Sequence, residues 1–159
     1  MSFIVLEGLD GAGKSTQVRM LQEYFEKQGK KTQFLHFPRT DDSIFGDLIA
    51  KFLRGDLGAV DNVNPYLVAL IYACDRNDAK KTIQAWLDEK TVVIADRFVA
   101  SNIAFQCAKI QDETERKVLR NWIMDLEFNY YKLPKPTVNL FLDVPFSFTK
   151  KKLTEQREG

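Results

Sequence analysis

Gly8-Leu9-Asp10-Gly11-Ala12-Gly13-Lys14-Ser15 meets the phosphate-loop pattern G-x-x-x-x-G-K-S/T at every fixed position. Its flanks agree. Phe3-Ile4-Val5-Leu6 is an apolar run of strand character, and the stretch from Lys14 to Gln28 carries helical periodicity. Glycines let the backbone turn its N–H groups onto an anion, and the following helix adds the positive end of its dipole. The pattern predicts a bound nucleoside triphosphate. Gly8, Asp10, Gly11, Ala12, Gly13, Lys14, Ser15 and Thr16 form the expected cradle. Lys14 would reach the β- and γ-phosphates, and the Ser15 hydroxyl would be offered to Mg²⁺.

Outward from the loop, strands and helices alternate. Strands are expected at 3–7, 31–37, 91–95 and 137–142, the third apolar on both faces, as a central parallel strand should be, and the fourth another buried strand. The first helix should present Val18, Leu21 and Phe25 and stop at Gly29. A second places Ile44, Phe45, Leu48, Ile49, Phe52 and Leu53 on one face, capped by Asp42 or Ser43. Asn64-Pro65 opens a third that could run to Leu87, long unless kinked. Asp112 and Glu115 start a fourth, and Phe146 a last one. This order implies an α/β fold of three layers, α/β/α, with a central parallel sheet and ligands at the strands' carboxyl ends. A single nucleotide-binding domain over residues 1–159 is expected.

Composition narrows the function. The 159 residues carry 23 basic and 22 acidic side chains, a formal charge of +1, which argues against a general nucleic-acid or membrane-binding surface. No apolar run approaches the ~20 residues that span a bilayer. MSFIVLEG lacks the head of a secretory signal, so a cytoplasmic protein is expected. Cys74 and Cys107 read as two buried free thiols.

Other candidates follow the strands. Asp96 and Arg97 come directly after TVVIA, where the aspartate could hold Mg²⁺ with Ser15 and the arginine could bind phosphate bidentately. Asp143 is a weaker rival for the metal. Arg39, in FPRTDD, reads equally well as a ligand or as a solvated loop charge. Tyr72 and Arg76 lie four apart and share a helix face. A ring and a guanidinium could stack on a base and donate to its carbonyl, but spacing alone favours a core tyrosine and a surface arginine. Phe105 reads most simply as core, and His36, the single histidine, as structural.

EGLDGAGKSTQ, FPR, LIYACDR, DRFVASNIAFQ and LPKPTVNLFLDVP, in this order, resemble the thymidylate kinase family, P-loop enzymes that phosphorylate dTMP with ATP. The resemblance runs across essentially the whole chain. It implies that Asp10 contacts the deoxyribose 3′-OH, Tyr72 stacks on thymine and Arg76 bonds a base carbonyl. Arg97 and Arg39 would hold phosphate, Asp96 would lie near the metal, and Ser101 and Gln106 would flank the base. It also implies ATP and Mg²⁺ as cofactors and a homodimer.

Three departures stand out. Phe98 and Phe105 replace tyrosines common in the family, and the hydroxyl lost at 105 could weaken discrimination at the sugar. Gly11 stands where some members have an arginine. The sequence stops at QREG, where the family's arginine-rich lid begins, so a chain truncated before the lid, last strand and last helices is expected. Arg157, or an arginine beyond Gly159, would then supply charge to the transferring phosphoryl group. Two other functions fit the sequence less well. A deoxynucleoside kinase needs a carboxylate base after the second strand, where Pro38-Arg39 stands; a GTP-dependent switch needs an N-K-x-D element, which is absent.

Overall fold

The computed structural model describes residues 2–155. Four parallel strands, β1 (Ser2–Glu7), β2 (Thr32–His36), β3 (Val92–Asp96) and β4 (Val138–Phe141), lie in the order β2-β3-β1-β4. Leu6 pairs with Asp96, and His36 pairs with Asp96 from the other side, so the ends of β1, β2 and β3 are level. That registry collects the phosphate loop, His36 and Asp96-Arg97 along one sheet edge.

Strand periodicity of two divides the core between the faces. Ile4, Leu6, Val92 and Ile94 pack with Val18, Leu21 and Phe25 of α1 (Lys14–Lys27). Phe3, Val5, Val93 and Ala95 face α3 (Pro65–Asp88), α4 (Val99–Cys107) and α5 (Glu113–Met124), where Ile83, Leu119 and Ile123 are buried. The result is the three-layer α/β/α arrangement with a parallel sheet. Every residue of β3 is buried, as the apolar run Val92–Ala95 requires, and the strand ends on the buried carboxylate of Asp96.

The expected caps form. Ser43, not Asp42, caps α2 (Ile44–Arg54) by accepting from Gly46 N at 2.9 Å. The Asn64 carboxamide accepts from Tyr66 N, and the Asp112 carboxylate from Glu115 N. α3 runs through all 24 residues as one element. Beyond α5 the chain widens into a π turn, Asp125–Tyr130, and α6 spans Phe146–Glu155.

Three packing expectations are corrected. Ile44 is 80% and Leu53 52% exposed, because α2 packs mainly against α3 and buries only a narrow stripe around Ile49 and Phe52. β4 is not a buried strand. Among the described residues it pairs with β1 only, and Val138, Leu140 and Phe141 remain exposed. Cys74 and Cys107 are free but only half-buried.

Candidate phosphoryl-transfer site

The loop from Gly8 to Ser15 leaves its anion-binding groups open. Gly8, Gly11 and Gly13 have φ of 149°, 78° and 91°, a region that side chains with a Cβ avoid. A Cβ on Gly8 would also meet the Leu142 carbonyl oxygen at 3.1 Å. Gly13 caps α1 with no side-chain bond, and the first turn holds no acidic residue. The helix N-terminus is therefore unspent and positive, as a polyphosphate needs.

Lys14 folds back over the loop. Its ammonium donates to the carbonyls of Gly8 (3.1 Å) and Leu9 (3.0 Å), and lies 3.9 Å from both Asp10 and Asp96. Burial, and then the Arg97 charge, hold its pKa below the ordinary lysine value. For Asp10, burial pushes upward, but the Arg97 bond and the Arg97 and Lys14 charges outweigh it and leave the carboxyl below its usual range.

Asp96 tests the fit to a divalent cation. Its Oδ2 faces His36 Nδ1 at 3.3 Å, while its buried Oδ1 has no hydrogen-bond partner among the described residues. An unsatisfied buried carboxylate oxygen costs about 1–3 kcal/mol unless a ligand takes it up. Ser15 is exposed in the first turn of α1, and a hydroxyl and an unsatisfied carboxylate oxygen are the hard oxygen donors that Mg²⁺ takes. Asp143 is exposed as well.

Arg97 joins the phosphate loop to α4. Its φ of 67° is strained for a side-chain residue and is pinned by the bond from its N–H to Leu6 O at 2.8 Å. The guanidinium donates to Asp10 (2.8 Å) and to Ser101 Oγ (3.1 Å) and lies over the Phe105 ring at 5.3 Å. Phe105 is thus not core but 52% exposed.

The sequence misjudged which side of α3 is covered. Arg76 is 2% exposed, and its side-on fork donates to Glu127 from Nε (2.5 Å) and Nη2 (2.6 Å). Tyr72 is only half-buried; burial raises its pKa, against the Arg76 and Arg97 charges that favour the phenolate. Arg39 is not a solvated charge either. It donates to Asp75 Oδ1 (2.9 Å), the Asp75 carbonyl (2.8 Å) and Asp78 (2.7 Å), which ties the FPR loop to α3. Gln106 is buried with Oε1 unpartnered. Arg157 lies outside the described residues.

Three carboxylates that organise the site went unread in the sequence. Glu7, at the end of β1, accepts from Phe98 N (3.0 Å), Ser101 N (3.3 Å) and Ser101 Oγ (2.5 Å), closing the N-terminus of α4 from a distance. Asp75 receives Arg39 and Ser43, and Glu127 receives Arg76 and Asn102.

A level parallel edge, an open phosphate loop and an Asp-Arg pair on the neighbouring strand define a P-loop nucleotide-binding α/β protein. The thymidylate kinase family model matches residues 6–159. The chain is 38% identical over 141 residues to the thymidylate kinase of Mycobacterium tuberculosis (strain ATCC 25618 / H37Rv), covering 89% of this chain and 65% of that protein. To the probable thymidylate kinase of Thermococcus kodakarensis it is 37% identical over 148 residues, covering 90% and 66%. It also superimposes on a solved thymidylate kinase from Candida albicans with a TM-score of 0.75 at 27% identity, over 94% of this chain and 66% of that one. This chain belongs to the thymidylate kinase family. It spans about two thirds of the length of these relatives.

Proposed function

We propose that the protein transfers the γ-phosphoryl group of ATP to dTMP, giving ADP and dTDP. The observation that carries this reading is Arg97, bonded at once to Asp10 of the phosphate loop and to Ser101 of α4. A guanidinium there can gather the acceptor phosphate beside the donor. Family membership supports thymine as the base, with Tyr72 stacking, Arg76 donating to a ring carbonyl, and Ser101, Phe105 and Gln106 around it.

The chemistry is alignment and charge neutralisation. An acceptor phosphate oxygen is already a nucleophile, so no side chain need remove a proton. Lys14 neutralises the β- and γ-phosphates, the loop N–H groups fix their orientation, and Arg97 draws the acceptor oxygen into line. Asp10, held by Arg97, is proposed to contact the sugar hydroxyl, and Arg39 is proposed near the acceptor phosphate from its tether on Asp75. Ser15 and Asp96 would hold Mg²⁺, whose charge lowers the cost of bringing the phosphates together. We assign the remaining transition-state charge to Arg157, because Gly11 offers none. Family membership further supports a cytoplasmic homodimer joined through apolar helix faces, on which Leu67 of α3 and Val118 of α5 are exposed.

The test exploits Arg76. Alanine there would strand the buried Glu127 carboxylate, so Arg76→Gln, which still donates, is the better variant. Losing the charged donor should weaken dTMP binding by roughly 1.5–3 kcal/mol in calorimetry and leave ATP binding unchanged. Equal loss for both nucleotides would refute the assignment.

A further inference from the structure

Leu119 and Ile123 mark the buried stripe of α5, and Glu127 occupies the next position of that stripe, four residues on. It is fully buried. A carboxylate in that place loses its hydration, and the attraction of its partner barely offsets the loss. Packing alone therefore does not account for it, since an apolar residue of similar volume would serve stability as well.

What Glu127 does is orient. Oε2 accepts from Arg76 Nε, and Oε1 accepts from both Arg76 Nη2 and Asn102 Nδ2, the latter at 3.0 Å. Its own carbonyl accepts from Leu133 N at 3.0 Å, which pins its backbone within the π turn. Asn102 is fixed again by Ala69 O at 3.0 Å and keeps Oδ1 unpartnered. Of the five guanidinium N–H groups, the side-on pair is spent on Glu127. The end-on fork is left, in the charge field that Tyr72 shares with Arg97.

We propose that Glu127 is a positioning residue that presents only the end-on fork of Arg76 to an acceptor base, and so sets a preference for a base carrying a carbonyl at that edge over one carrying an amino group. The inference rests on the acceptor site proposed above. A carbonyl accepts from the fixed fork, whereas an amino group meets it donor to donor. A guanidinium free to rotate could avoid that clash, and discrimination would fall.

The experiment titrates dTMP, dCMP and ATP calorimetrically into the wild type, Glu127→Gln, Arg76→Gln and the double variant. Glu127→Gln should weaken dTMP about tenfold, the scale of one charged hydrogen bond. dCMP and ATP should change little, so the dTMP/dCMP ratio collapses. The double variant should lose no more than Arg76→Gln alone. Equal losses for dTMP and dCMP, or additive losses in the double variant, would overturn the proposal. If Glu127→Gln does not fold, Glu127→Asp keeps the charge but shortens its reach, and an unchanged ratio there is equally fatal. Hydrogen exchange of the Arg76 Nε–H separates this idea from the function itself. It should be slow in the wild type and faster in Glu127→Gln whether or not dTMP binds. Unaltered exchange refutes positioning, while absent dTMP binding in the wild type with faster exchange in the variant refutes the acceptor assignment.

Discussion

Replacing Glu7 by alanine should destabilise the protein without removing any atom that touches nucleotide. Its carboxylate accepts three bonds, two from the backbone N–H groups of Phe98 and Ser101 at the start of α4 and one from the Ser101 hydroxyl. α4 has no side-chain cap of its own, so Glu7 supplies that function across the sheet edge. Loss of a helix cap costs about 0.5–2 kcal/mol, and hydrogen bonds to a charged group contribute about 1.5–3 kcal/mol each. The terms overlap, and Ser101 Oγ keeps its bond from Arg97, so a net loss of about 3 kcal/mol is expected. That is a large part of an ordinary domain's ~5–15 kcal/mol. Glu7→Gln retains one acceptor oxygen and should cost about 1 kcal/mol. Urea unfolding followed by circular dichroism measures both, with the midpoint falling and the slope unchanged. An alanine variant within about 0.5 kcal/mol of wild type, or a glutamine variant worse than alanine, would refute the reasoning.

Lys14→Ala should abolish phosphoryl transfer while leaving the circular dichroism spectrum native; activity near wild type would contradict the loop assignment. In the free protein, burial and the Arg97 charge lower the Lys14 pKa from 10.5, and bound phosphate favours the protonated form. ATP affinity should thus be full below the free-state value and decline as pH rises through it, a loss that a flat alkaline titration would disprove. Gly46→Ala would put a Cβ 1.8 Å from the Arg39 carbonyl oxygen and must displace backbone, lowering stability by at least about 2 kcal/mol in thermal melting. Arg39→Ala strips Asp75, 1% exposed, of its cation and should cost roughly 3 kcal/mol by the same measurement; a loss below about 1 kcal/mol would mean the pair is idle.

The sheet edge was legible because its elements carry local patterns. The apolar run before Gly8, the uninterrupted β3 and the Asn64-Pro65 cap each announce themselves within a few residues. The carboxylates did not, since a buried acid is defined by the cation that reaches it from another element. Glu127 did leave a trace, an acid on the buried stripe after Leu119 and Ile123. Spacing showed that Tyr72 and Arg76 share a face of α3, but not that this face would be closed over by Glu127, so their exposures were inverted. β4 misled for a related reason: Val138, Leu140 and Phe141 suit a covered strand, yet among the described residues it pairs only with β1 and they stay exposed.

The most direct test of the account is the destination of the phosphoryl group. With γ-labelled ATP, Mg²⁺ and an equimolar mixture of dTMP, dCMP, dGMP, dAMP and thymidine, separation of products should find label in dTDP ahead of every other nucleotide. Arg97→Ala should suppress that label by about 10²-fold or more, the scale for one preorganised charge at a transition state. Label in dTMP formed from thymidine, or only in inorganic phosphate, would contradict the account.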